Sequence, residues 1–166
     1  LPADLYRGFI ERFFSGTELI EVRRVEERLR HTYLFSDAVT STTLFSLAKN
    51  CTITELDAGE SVVGDPERMH LIGRGRLTTG DGDDAQVLGS GQYWGSDSLF
   101  REMAEHAHDL RVVADTARTW VALENSEIYS VPLRLVSRIP VVRWKLFEAF
   151  RNTHPYAAPR FRGSPR

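Results

Sequence analysis

Gln92-Tyr93-Trp94-Gly95-Ser96-Asp97-Ser98-Leu99-Phe100, approached through Gly89-Ser90-Gly91, is the stretch around which the rest of the chain is organised. An aromatic pair runs into a glycine, and a polar-headed turn then closes on Leu99 and Phe100. Gly95 lacks a side chain, so its backbone can come close to another group. If residues 96–101 form one helical turn, its first N–H groups have no partner within the turn and point at whatever stands in front of Gly95. An anion suits that position. A strand end, a glycine turn and a capped helix with nothing bound would give the same local sequence, so the neighbouring segments have to decide.

The chain has 166 residues, enough for one domain with a sizeable core and a helical extension. A hydrophobic content of 42%, a charged content of 27% and a net charge of -2 describe an ordinary globular protein without a basic footprint for nucleic acid or an anionic membrane. The single cysteine, Cys51, excludes an intrachain disulfide and a cysteine metal site. No apolar run approaches the length of a membrane span, and the start at Leu1 shows no signal-peptide pattern. We therefore expect a cytoplasmic or nuclear piece of a larger protein, which includes the cytosolic part of a membrane protein, with a homo-oligomer left open.

Working outward, hydrophobic periodicity divides the chain into helices, strands and helices. Leu5, Phe9, Ile10, Phe13 and Phe14 recur at helical spacing, and after Ser15-Gly16 so do Leu19, Ile20, Val22, Val25 and Leu29. The second of these segments fits either an amphipathic helix docked on a partner or on the domain behind it, or a solvated helix laced with Glu–Arg pairs. A further helical stretch is expected over 34–50. The period then changes to two at Thr52–Leu56 and Ser61–Val63, and again from Met69 to Thr79 with interruptions at Gly73 and Gly75. Gly80-Asp81-Gly82-Asp83-Asp84 reads as a hairpin tip before a strand at 86–88, and strands follow at 109–114, 119–123 and 127–131. Short strands with turns every eight to twelve residues predict an antiparallel jelly roll. From Pro132 to Arg151 the helical period returns, with Pro140 expected to split a short helix from a longer one.

The order and spacing of several segments resemble a cyclic-nucleotide-binding domain, the module of catabolite-activator-type regulators, kinase regulatory subunits and nucleotide-gated channels. Tyr33 to Asp37 with Leu47-Ala48 resembles its lead-in helix. Ala58-Gly59-Glu60, Gly64-Asp65-Pro66, Arg68-Met69, Ile72 and Gly75 resemble its first hairpins. Leu88 to Gly95 with Leu99 resembles the approach to its phosphate-binding cassette, and Val112, Ala114, Ser126 to Val131 and Ile139-Pro140 resemble its last strands and hinge helix. The likeness covers about residues 33 to 150. It implies an α+β fold, a jelly roll flanked by N- and C-terminal helices, with a helical extension or linker over 1–33, the domain over 34–151 and a flexible tail over 152–166. Leu1 to Leu5 is also similar to a linker helix of hyperpolarisation-activated potassium channels.

The resemblance further implies cAMP or cGMP as ligand and no other cofactor. The ligand would be held at Gly95, Ser96, Asp97, Ser98 and Leu99, with a C-terminal helix carrying Trp144 as lid over the base. Here the charged positions depart from the family. Ser96 stands where the family has glutamate, and counting back from Val112 and Ala114 puts His108 where it has arginine. Asp97, Arg101 and Arg111 are the neighbouring candidates to replace them. The expected function is a regulatory, non-enzymatic domain with weak or lost cyclic-nucleotide binding, joined to its parent protein through the N-terminal helices. The alternative is a nucleotide sensor with altered contacts.

A cupin-type metal enzyme is the remote alternative, because His106-Ala107-His108 has a His-x-His spacing. No glutamate follows at the distance such a site needs, so no metal or catalytic residue is assigned. No helix-turn-helix follows residue 151, which speaks against nucleic acid as a partner. Trp94 and Trp120 are expected in the core, Glu60 in a turn, and Arg74 and Arg76 on an exposed strand face.

Overall fold

The structure, a computed structural model, describes residues 16–36, 39–80, 85–100 and 118–153. Helices α1 (Gly16–Arg30) and α2 (Ser41–Lys49) precede strands β1 (Thr52–Leu56), β2 (Ser61–Val63), β3 (Arg68–Arg74), β4 (Arg76–Thr79), β5 (Gln86–Gly89) and β6 (Tyr93–Trp94). A 3-10 helix (Ser96–Phe100), β7 (Thr119–Ala122), β8 (Ser126–Pro132), α3 (Leu133–Val136) and α4 (Pro140–Thr153) follow. The strands form two four-stranded antiparallel sheets, ordered β1-β8-β3-β6 and β2-β7-β4-β5. This is the jelly roll with flanking helices that the alternating pattern predicts. The expected strand at 109–114, all but Gly80 of the hairpin tip at 80–84, the helix before Ser15 and the tail from His154 lie outside the described residues.

Two cores lie on opposite sides of the first sheet. Between the sheets, Leu56, Ile72, Leu77, Trp94, Trp120, Ala122 and Ile128 pack together. On the sheet's other face, Met69, Leu71, Tyr129 and Val131 meet Val25 and Leu29 of α1, Leu44 and Leu47 of α2, and Val142, Leu146 and Phe150 of α4. Successive residues of a strand point to opposite sides, so β3 and β8 supply both cores at once. Each buried Leu, Ile or Val contributes about 1.5–3 kcal/mol against exposure, and these two strands spend such residues on both cores.

The helix boundaries follow from local chemistry. The stretch expected to be helical over 34–50 is turned through Tyr33 to Ser36, and α2 begins only after Thr40. Thr40 has an extended backbone, and its hydroxyl accepts the Thr43 N–H at 3.2 Å, which caps the helix there. Pro140 opens α4 at its first position, where a missing N–H costs nothing. The span Met69 to Thr79 is two strands in different sheets, because Gly75 turns the chain with φ of 91°. For α1, both sequence-level readings hold on different faces: Val25 and Leu29 are buried on the domain, while Glu26 pairs with Arg23 and Arg30. Among the described residues no helix is long and apolar enough to cross a membrane.

Polar groups on β8 and β3 find partners on both sides. Glu127 is buried under α1, where its carboxylate accepts from the Tyr129 hydroxyl and pairs with Arg24 at 3.7 Å. Burial and the neighbouring Glu127 keep the Tyr129 phenol protonated well above its usual range. Tyr129 lies against Gly73, where a Cβ would run into its ring. On the inner side, the His70 ring stacks on Trp94 at 4.6 Å. Its Nε2 accepts the Asp65 N–H at 2.9 Å, which leaves the proton on Nδ1 to be donated to Ser130 Oγ at 2.7 Å. Burial is the main cause that lowers the His70 pKa, opposed by the Asp65 carbonyl and carboxylate.

Two stability predictions follow from these contacts. Gly73→Ala forces the Tyr129 ring out of place and should cost about 1–3 kcal/mol in urea denaturation; an unchanged midpoint contradicts the contact. His70 is neutral when folded and takes up a proton more readily when unfolded, so its contribution is complete above pH ~6.5 and lost as pH falls toward its lower folded value. His70→Gln should therefore flatten the decline in melting temperature between neutral and mildly acidic pH, measured by circular dichroism against the parent chain.

Candidate functional site

The cassette turn is built on β3. Gly95 has φ of 89°, and a Cβ there would stand 3.0 Å from the Arg68 carbonyl oxygen and 3.4 Å from His70 Cδ2. The group that needs a bare backbone at Gly95 is thus the chain's own third strand. Ser98 ties the turn down, its hydroxyl lying 3.1 Å from the Gly95 carbonyl and 3.3 Å from the Pro66 carbonyl. At the end of the turn Phe100 enters the helical core, with its ring centroid 5.0 Å from Phe150 and 5.6 Å from Phe147 of α4. Leu99 packs at the edge of the same core. The cassette is therefore fastened to a strand on one side and to the C-terminal helix on the other.

In front of the turn lies a cleft of about 380 Å³, within the range of roughly 300–1,000 Å³ usual for small-molecule sites. Its walls are aromatic and aliphatic, from Tyr33, Tyr93, Trp94, Trp120 and Leu88, and the cassette residues Gly95, Ser96 and Asp97 and the cation Arg118 also line it. Trp94 and Trp120 lie 5.3 Å apart, centroid to centroid, and extend the His70 stack to the cleft wall. Burial first, then the Asp97 carboxylate and Tyr33, push the Tyr93 phenol upward, which places all three groups near one another. The Trp120 indole N–H is buried without a hydrogen-bond partner, and so is that of Trp94. The Trp94 nitrogen faces Gly64, where a Cβ would come within 2.8 Å of it.

Of the residues expected at the site, Gly95, Ser96 and Asp97 line the cleft. Ser98 is turned onto backbone carbonyls and Leu99 onto the helical core. Trp144 is 54% exposed on α4, lies outside the cleft lining and packs beside Phe147 at 6.0 Å. Arg101, His108 and Arg111, together with His106, fall outside the described residues. Among the described residues no group of histidine, cysteine and acidic side chains is placed to hold a metal ion. Cys51 is half-buried, and burial lifts its thiol to about 12, far from a reactive thiolate.

Sequence reasoning missed Tyr33, Leu88, Trp120 and Arg118 as lining residues. Arg118 just precedes β7 and Trp120 lies within it, two residues apart, the spacing that turns both to one side of an extended chain, so a signal was present. Tyr33 had none, since it reaches the cleft from the link between two helices.

No protein-family model matches the sequence, and no curated protein matches it. Solved structures do match. The regulatory domain of Toxoplasma gondii PKA, co-crystallised with cAMP, is 12% identical, with a TM-score of 0.57 over 79% of this chain and 50% of that one. A regulatory subunit of a cAMP-independent protein kinase A from Trypanosoma cruzi, bound to guanosine, is 15% identical, with a TM-score of 0.57 over 84% of this chain and 50% of that one. A cAMP-binding acyltransferase from Mycobacterium smegmatis is 16% identical, with a TM-score of 0.55 over 80% of this chain and 41% of that one. The chain spans half or less of the length of these proteins. At such low identities the likeness speaks to architecture: the chain has the fold of the cyclic-nucleotide-binding domains.

Proposed function

We propose that the chain is a regulatory domain of a larger signalling protein, in which the charged grip on a cyclic phosphate and its ribose has been weakened or lost. Ser96 carries this reading. It is 5% exposed at the cleft, in the place where the family resemblance implies a glutamate, and a hydroxyl is a poorer partner than a carboxylate for a ribose hydroxyl. Hydrogen bonds to charged groups are worth roughly 1.5–3 kcal/mol each, so loss of one weakens binding by about tenfold to more than a hundredfold. The output would pass through Phe100, which joins the cassette turn to α4, and through α1, held to β8 by Arg24 and Glu127. A domain that changes helix packing in this way regulates and does not catalyse, whatever it is attached to.

A second reading is favoured by Arg118 and Asp97. Both line the cleft, so a cation and a carboxylate border it at positions other than the family's. The domain would then be a sensor with altered contacts, for a cyclic nucleotide or for a nucleoside of the kind bound by the Trypanosoma cruzi protein.

Calorimetric titration with cAMP, cGMP and guanosine separates the two. Under the first reading the parent chain shows no micromolar response to either cyclic nucleotide, and Ser96→Glu strengthens cAMP binding at least tenfold. A micromolar response of the parent chain that Arg118→Ala abolishes refutes the first reading and establishes the second.

A further inference from the structure

One residue of the cleft comes from neither the cassette nor a strand. Tyr33 lies between α1 and α2, and it is 73% exposed although it stands at the rim of an aromatic-walled cleft. Its backbone is held firmly. The adjoining Leu34 is 2% exposed in the helical core, the Thr32 hydroxyl donates to the Leu29 carbonyl at 2.7 Å, and the Ser36 hydroxyl donates to the Tyr33 carbonyl at 3.2 Å.

The same carbonyl accepts from Lys145 Nζ of α4 at 2.6 Å. That ammonium also stands 4.3 Å from the centre of the Tyr33 ring, within cation–π range. Ala149, one turn further along α4 on the same face, also lines the cleft. A fixed backbone, an exposed ring and a cation resting on one ring face describe a side chain that turns about its own torsions while α4 sets its starting position.

We propose that Tyr33 closes the cleft over its occupant and that Lys145 fixes the position from which it does so. A planar ring entering between Tyr33 and the Trp120 wall would cover a phenol ring that now stands in water, and such stacking tolerates many ring systems. Occupancy would then be felt by α1 and α4 together, because the cap hangs from the end of one and rests on the other. The inference deepens the reading of the cleft as a ligand site and rests on it for the ligand half of its test.

The test uses the full chain with Trp144→Phe, which leaves Trp94 and Trp120 as the only indoles. Acrylamide quenching needs no ligand. Tyr33→Ala and Lys145→Met should each raise the quenching constant about twofold, whereas Tyr33→Phe should leave it unchanged; equal constants in all four chains overturn the cap. Titration with guanosine and cAMP forms the second half. A probe that binds the parent should bind Tyr33→Ala about tenfold more weakly and Tyr33→Phe equally well, and equal affinity for Tyr33→Ala overturns the proposal. If neither probe binds the parent at millimolar concentration, the ligand-site reading fails and quenching alone decides whether Tyr33 covers the cleft.

Discussion

β3 and β8 have almost no solvent face, and the rest of the molecule answers to that constraint. All of β8 is buried, and from Met69 to Gly73 so is β3. A strand pair buried on both sides must give every polar side chain a partner, since an unpaired one costs about 1–3 kcal/mol. Ser130 and His70 satisfy one another between the sheets, and Glu127 takes the Tyr129 hydroxyl and Arg24 beneath the helices. The Asp65 backbone and α1 are drawn in as the remaining partners. The position of α1 is thus set partly by the pairing of its Arg24 with the buried Glu127 carboxylate.

Close packing against this pair also decides where glycine stands. Gly73 makes way for the Tyr129 ring, Gly95 for the Arg68 carbonyl, and Gly64 for the Trp94 indole. These close approaches are paid for once, by the backbone, and they leave the cassette turn seated on β3 with little freedom to slide. At its far end Phe100 meets Phe147 and Phe150 of α4 through ring contacts.

Much of this was legible in the sequence, because a strand with one buried face writes its period plainly. Thr52–Leu56, Ser61–Val63 and Gln86–Gly89 are strands where the sequence reads them, Ser61–Val63 with the alternation in its burial, and Pro140 divides the C-terminal helices as a proline should. The pattern failed where both faces are buried or where a single backbone angle decides. Met69 to Thr79 reads as one interrupted strand, yet the turn at Gly75 sends its halves into different sheets. The expected helix over 34–50 starts late, because the Thr40 cap is a local hydrogen bond that periodicity does not register. At the site, the cassette residues Gly95, Ser96 and Asp97 were visible as a contiguous motif. Tyr33 and Arg118 come from distant segments brought together by the jelly roll, and Trp144 was placed at the site by resemblance alone.

The Phe100 contact has a thermodynamic corollary. Its ring is shared between the turn that borders the cleft and the C-terminal helix α4, so the two cannot rearrange independently. Linkage is reciprocal: by whatever factor an occupant of the cleft biases the packing of α4, an agent that grips α4 from outside must change the occupant's affinity by the same factor. A protein docked on that helix and a small molecule in the cleft would therefore compete or cooperate without ever touching.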